Sequence, residues 1–131
     1  MEQYYQKEIE TASLDEIRAI QNERLVNTVN RVYKNNEYYR DLREKKGVTP
    51  DDIKSVDDLH KLPFLTKDDL RKAYPYGLMS APLSECVRIH STSGTTGKRV
   101  VAFYTQHDID LWEDCCARAI TAVGGTNEDV C

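Results

Sequence analysis

In Val87-Arg88-Ile89-His90-Ser91-Thr92-Ser93-Gly94-Thr95-Thr96-Gly97-Lys98-Arg99-Val100-Val101-Ala102-Phe103-Tyr104 the character of the chain changes. Val87 and Ile89 alternate with Arg88 and His90, while Val100 to Tyr104 is rich in β-branched and aromatic side chains, so both flanks read as strands. The eight residues Ser91 to Lys98 between them carry five hydroxyls, two glycines and one lysine, with no acid. Two strands around such a segment make a hairpin with an enlarged tip.

Working outward toward the C-terminus, Thr105 and Asp108 form a capping box. Ile109, Trp112, Cys116, Ala119, Ile120 and Val123 then trace one helical face that ends at Gly124-Gly125. Ile109, Trp112, Cys116 and Ile120 are expected to pack inward. Asn127 to Cys131 reads as the beginning of a further strand.

Toward the N-terminus the signals are helical. Ser13 and Glu16 cap a long helix from Leu14, which Asn35-Asn36 interrupts; Tyr38, Tyr39 and Leu42 mark a shorter one that ends at Gly47. Thr49-Pro50-Asp51-Asp52, Ser55-Val56-Asp57-Asp58 and Thr66-Lys67-Asp68-Asp69 each place a hydroxyl before an acidic first turn, where the helix dipole favours negative charge. Leu62-Pro63-Phe64-Leu65 is extended, the third short helix stops before Pro75, and Tyr76 to Glu85 is a connection. The expected architecture is α/β: a helical region over 1–84, then a hairpin, a helix and the start of a strand over 85–131, both within one larger domain.

Twenty-two acidic residues against 18 basic ones give a formal net charge of −4. That is the wrong sign for a surface that neutralises a nucleic-acid backbone. Met1 to Ile9 holds neither a secretory core nor an apolar span, so a cytoplasmic protein without a membrane partner is expected. Cys86, Cys115, Cys116 and Cys131 show no Cys-x-x-Cys spacing, and neither disulfides nor a metal site is predicted from them.

The hairpin tip is where chemistry concentrates. Glycines let backbone N–H groups turn toward an anion, hydroxyls add donors and lysine adds charge, which together suit a polyphosphate. A solvated hairpin tip has the same composition. The order of residues excludes other phosphate motifs: two residues, not four, separate Gly94 from Gly97, and Arg99 rather than a hydroxyl follows Lys98. No Gly-x-Gly-x-x-Gly and no Gly-x-Ser-x-Gly occurs. His90, on a strand, is expected to face away from the tip.

His90 to Lys98 resembles the phosphate-binding signature of adenylate-forming enzymes, and Val100-Val101-Ala102-Phe103-Tyr104-Thr105 is similar to its continuation in the phenylacetate-CoA ligase branch. Leu62-Pro63-Phe64-Leu65-Thr66-Lys67-Asp68-Asp69-Leu70-Arg71, Tyr38-Tyr39-Arg40, Gly47-Val48 and Asp108-Ile109-Asp110-Leu111-Trp112 also look like segments of those ligases. The likeness runs from about Tyr4 to Val130. It departs at Arg99, where the family usually has proline, and at Val100, where many adenylating enzymes have a lysine nearby.

The resemblance implies an enzyme that activates an aryl acetate with ATP, releasing pyrophosphate, and then passes the acyl group from AMP to coenzyme A. Ser91, Thr92, Ser93, Gly94, Thr95, Thr96, Gly97 and Lys98 would hold the β- and γ-phosphates; none would be an acid, base or nucleophile, and none a metal ligand. Mg²⁺ ligands, the adenine pocket and the mobile C-terminal domain would lie downstream, making this the N-terminal portion of a ligase, inactive alone. An unpaired strand after Gly125 and the apolar face of the last helix lead to the expectation of a homo-oligomer. The alternative is a non-catalytic anion-binding or interaction module.

Overall fold

A computed structural model describes residues 4–94, 97 and 99–130. Among them the chain is a mixture of helices with one two-stranded antiparallel sheet. Helix α1 (Lys7–Glu10) is a single turn whose N-cap, Gln6, has no side-chain cap, so no start signal announces it in the sequence.

Helix α2 (Leu14–Asn35) begins where its capping box places it: the Glu16 N–H donates to the Ser13 hydroxyl at 3.3 Å and the Glu16 carboxylate accepts from the Ser13 N–H at 2.7 Å. Asn36 then serves two helices. Its N–H closes the end of α2 on the Val32 carbonyl, and its Oδ1 accepts from the Tyr39 N–H at 2.8 Å to open α3 (Glu37–Lys45). Its Nδ2 also donates to the Met79 carbonyl at 3.3 Å, which ties the helix corner to the connection before the sheet. A buried asparagine is tolerated here because all these bonds are made.

Gly47 ends α3 with φ +69°, its N–H reaching the Glu44 carbonyl and that of Val48 the Arg43 carbonyl, the paired pattern of a glycine stop. Two 3-10 turns, Pro50–Asp52 and Val56–Lys61, pack on α2, and α4 (Lys67–Lys72) follows the extended Leu62–Leu65 segment. Each start is fixed by a carboxylate accepting from its cap: Asp52 from Thr49, Asp58 from Ser55 and Asp69 from Thr66.

A third 3-10 turn (Leu83–Glu85) leads into β1 (Cys86–Ser91), which pairs with β2 (Val101–Thr105) in the register Ile89 to Phe103, His90 to Ala102 and Ser91 to Val101. Arg88, His90, Ala102 and Tyr104 thus share one face, and Ile89, Ser91, Val101 and Phe103 the other. Helix α5 (Gln106–Ala122) starts on the Thr105–Asp108 box and packs against β2.

Two expectations for the C-terminal part need correction. Of the four residues expected to face inward, only Ile109 is buried; Trp112 is 43% exposed, Ile120 50%, and Cys116 is exposed. The reason is the lack of partners: Trp112 meets His90 and Tyr104, but a sheet of only two strands covers little of the apolar face of α5. Beyond Gly125 no strand begins among the described residues. Asp129 instead accepts from the Thr126 N–H at 2.7 Å and the Thr126 hydroxyl at 3.0 Å, closing a local turn that spends the donors a strand would need.

Among the described residues the buried apolar set is small: Val29, Ile53, Ala73 and Ile109. Large apolar side chains remain on the surface, including Val87 and Ile89 on β1, each 58% exposed, and Phe64 on the extended segment. Arg43 is the largest buried side chain, at 0% exposure. Its Nη1 makes one long bond of 3.4 Å to the Val29 carbonyl and its guanidinium lies 5.2 Å from the Tyr33 ring centroid, leaving Nε and Nη2 without partners. Burial lowers its pKa, partly offset by Tyr39, Tyr33 and Asp52.

Candidate functional site

The hairpin tip is built on a stem that changes its bonding as it leaves the sheet. Ser91 still pairs with Val101, but at the next level the Thr92 N–H donates to the Val100 carbonyl at 3.0 Å while the Val100 N–H donates to the Thr92 hydroxyl at 3.1 Å. A side-chain oxygen replaces a backbone one, and the Thr92 hydroxyl hydrogen is left to be donated elsewhere.

Past Thr92 the two glycines take positive-φ conformations that residues with side chains rarely adopt. Gly94 has φ +71° and Gly97 φ +124°, and the Gly97 N–H closes a tight turn on the Gly94 carbonyl at 3.1 Å. Space reinforces conformation at Gly94: a β-carbon there would lie 2.7 Å from Arg99 Cγ and 3.1 Å from the Gly97 carbonyl oxygen. At Gly97 nothing stands within 4 Å, so only the backbone angle demands glycine.

Of the residues assigned to the site from sequence, Ser91, Thr92, Ser93, Gly94 and Gly97 thus occupy the stem and turn, with Ser91, Thr92, Ser93 and Gly97 exposed. Thr95, Thr96 and Lys98 lie outside the described residues. The described part of the tip combines positive-φ glycines with exposed hydroxyls, and the sequence from Cys86 to His107 holds no Asp or Glu that would repel an anion.

Below the tip an aromatic trio locks the stem to α5. The His90 ring lies 5.1 Å from Tyr104 and 5.6 Å, edge-on, from Trp112, and Tyr104 lies 5.7 Å from Trp112. On the other sheet face Tyr76 packs on Phe103 at 5.5 Å. His90 therefore serves packing on the sheet surface.

Sequence reasoning missed the cleft beside this trio. It encloses about 610 Å³ between α2, the connection before the sheet, β2 and α5, with Arg31, Phe103, Tyr104, Asp108 and Trp112 among its lining residues. Burial pushes the Asp108 carboxyl up, but hydrogen bonds from the Thr105 N–H and hydroxyl, with the Arg31 and His107 charges, hold it below its ordinary value. Only the Thr105–Asp108 spacing was a local signal; Arg31 is brought there by tertiary packing. Among the described residues no group of three or more His, Cys, Asp or Glu side chains is placed to hold a metal ion. No helix among them is long and apolar enough to cross a membrane.

No family model matches the chain. It is 47% identical over 121 residues to a phenylacetate-coenzyme A ligase of Escherichia coli (strain K12), covering 92% of this chain and 28% of that protein. To the protein of the same name from Aromatoleum evansii it is 49% identical over 122 residues, 93% of this chain and 28% of the relative. The chain thus spans little more than a quarter of the length of these relatives. Among solved structures, 2-hydroxyisobutyryl-CoA ligase in complex with 2-HIB-AMP and CoA superimposes with a TM-score of 0.78 at 28% identity, over 88% of this chain and 25% of that one. An open conformation of the same ligase gives 0.77 at 26% identity, over 88% and 27% of the two chains.

Proposed function

The chain is a relative of the N-terminal part of the phenylacetate-CoA ligases, and on that premise we propose that its hairpin tip grips the triphosphate of ATP in an aryl-acid CoA ligase. Ser91, Thr92, Ser93, Gly94, Thr95, Thr96, Gly97 and Lys98 would hold the β- and γ-phosphates. The observation that carries this role is the pair of positive-φ glycines in an acid-free, exposed turn on a stem braced by His90, Tyr104 and Trp112.

In the proposed reaction an aryl acetate carboxylate attacks the α-phosphorus of ATP, pyrophosphate leaves, and the thiol of coenzyme A then displaces AMP. The loop's part is positioning and neutralising the leaving pyrophosphate, not proton transfer. Mg²⁺ would add charge neutralisation on the phosphates; the described residues offer it no carboxylate cluster, and no metal ligand is assigned to this chain. We divide the chain into the helical region 1–84 and the hairpin region 85–131 of one larger domain. The cytoplasm, which supplies ATP and coenzyme A, is the compartment such a reaction calls for. The exposed β1 face and the small buried core support association with further polypeptide, either a second copy or more of the ligase.

The test is a chimera in which residues 4–130 replace the matching segment of the Escherichia coli relative. It is expected to form the CoA thioester from phenylacetate, ATP and coenzyme A, and Lys98→Ala is expected to lower the rate by at least about tenfold. A folded chimera that forms no thioester overturns the proposal, as does one indifferent to Lys98→Ala.

A further inference from the structure

We propose that Arg99 is a second cationic ligand of the polyphosphate held at the hairpin tip, an inference that rests on the tip being a phosphate site. The Arg99 side chain folds back across Gly94 instead of running away from the turn. Its Cγ lies 2.7 Å, and its Nε 3.6 Å, from the point where a β-carbon of Gly94 would stand. The missing side chain of Gly94 is what makes room for the arginine stem, and the stem in turn places the charged head beside the turn formed by Gly94 and Gly97.

That head is uncommitted. Arg99 is exposed, and among the described residues it makes no hydrogen bond, ion pair or ring contact. Three other arginines of this chain are engaged: Arg18 with Asp57, Arg71 with Asp68 and Arg118 with Gln6. No Asp or Glu between Cys86 and His107 is available to do the same for Arg99, in a chain whose net charge is −4. A guanidinium fork with no nearby carboxylate in the sequence to quench it matches the bidentate geometry of phosphate oxygens. The Thr92 hydroxyl, which accepts from Val100 and retains its own hydrogen, adds a donor at the same end of the stem.

The experiment titrates the full chain with sodium tripolyphosphate by calorimetry at about 50 mM salt, where screening is weak. Arg99→Gln keeps the first carbons of the stem over Gly94 and removes only the charge. It is expected to weaken binding about three- to tenfold, with an unchanged thermal midpoint, while Arg99→Lys recovers part of the loss. The difference between Arg99→Gln and the parent should shrink at about 0.5 M salt. Binding by Arg99→Gln within about twofold of the parent overturns the inference and leaves the loop's phosphate role standing. A loss of affinity accompanied by a fall in thermal midpoint gives Arg99 a structural role and also overturns it. A parent chain that does not bind tripolyphosphate overturns the phosphate role itself, and the inference with it.

Discussion

The Tyr38 hydroxyl donates to Asp69 Oδ1 at 2.8 Å while Oδ2 of the same carboxylate accepts from the Thr66 N–H at 2.8 Å, so one acid both caps α4 and ties it to α3. The Thr66 hydroxyl and N–H, then Tyr38, hold Asp69 down at about 2, below its ordinary 3.8. Because the folded value is depressed, the folded chain binds fewer protons than the unfolded one, and the contribution of Asp69 is fully present above about pH 4 and is lost as pH falls toward 2. Asp58, held at about 2 by Lys61 and by the N–H groups of Lys54 and Ser55, loses its contribution in the same window. Tyr38→Phe should therefore destabilise the chain more at pH 7 than at pH 2. Urea melts at the two values check this; an equal effect at both would show that the hydroxyl does not act through the charged carboxylate.

Arg43 is buried with two nitrogens unpartnered. Each unmet buried donor costs about 1–3 kcal/mol, against about 0.5–2 kcal/mol returned by the contact with Tyr33. Arg43→Met keeps the stem and removes the donors, and is expected to raise stability by about 1 kcal/mol. A denaturant melt showing a loss of that size would mean that the guanidinium earns its place through bonds to water.

Ile53 is 1% exposed and Ile89 58% exposed. Ile53→Ala should cost about 2–5 kcal/mol by opening a cavity, whereas Ile89→Ala should stay within about 0.5 kcal/mol. Equal losses in chemical denaturation would show that the β1 face is covered in solution.

Gly94→Ala and Gly97→Ala separate space from conformation at the tip. Both force an L-residue to positive φ, but only at Gly94 would the new methyl meet Arg99 and the Gly97 carbonyl. Both variants should weaken tripolyphosphate binding by at least about fivefold, the strain being on the order of 1–3 kcal/mol. Retained affinity in Gly97→Ala would show that its backbone angle is not needed for binding.

Much of the helical part was legible because its signals are local. Ser13 with Glu16 and Thr105 with Asp108 are three residues apart and each box forms as read, and the hydroxyl of Thr66 before its acidic first turn forms a third with Asp69. Gly47 stops α3 because no other residue takes its φ as cheaply. The hairpin followed from alternation on one side and β-branched residues on the other. What stayed hidden depends on distant partners. Nothing near Arg43 in sequence says that it would be buried on the Val29 carbonyl, and nothing near Trp112 says that only two strands would lie beside its helix. Of the tip, the sequence identified which residues were glycine; that the Arg99 stem lies across one of them required coordinates.

The edge-on contact of His90 with Trp112 also makes the chain its own optical instrument. Trp112 is the single tryptophan, and His90 is the residue immediately before the first hydroxyl of the tip. Indole emission responds to the position of a neighbouring imidazole, so a ligand that draws the stem toward itself changes the light emitted from α5 without any added dye. Tyr104, in contact with both rings, belongs to the same stem through β2, so strand and helix meet at one aromatic cluster that reports on both.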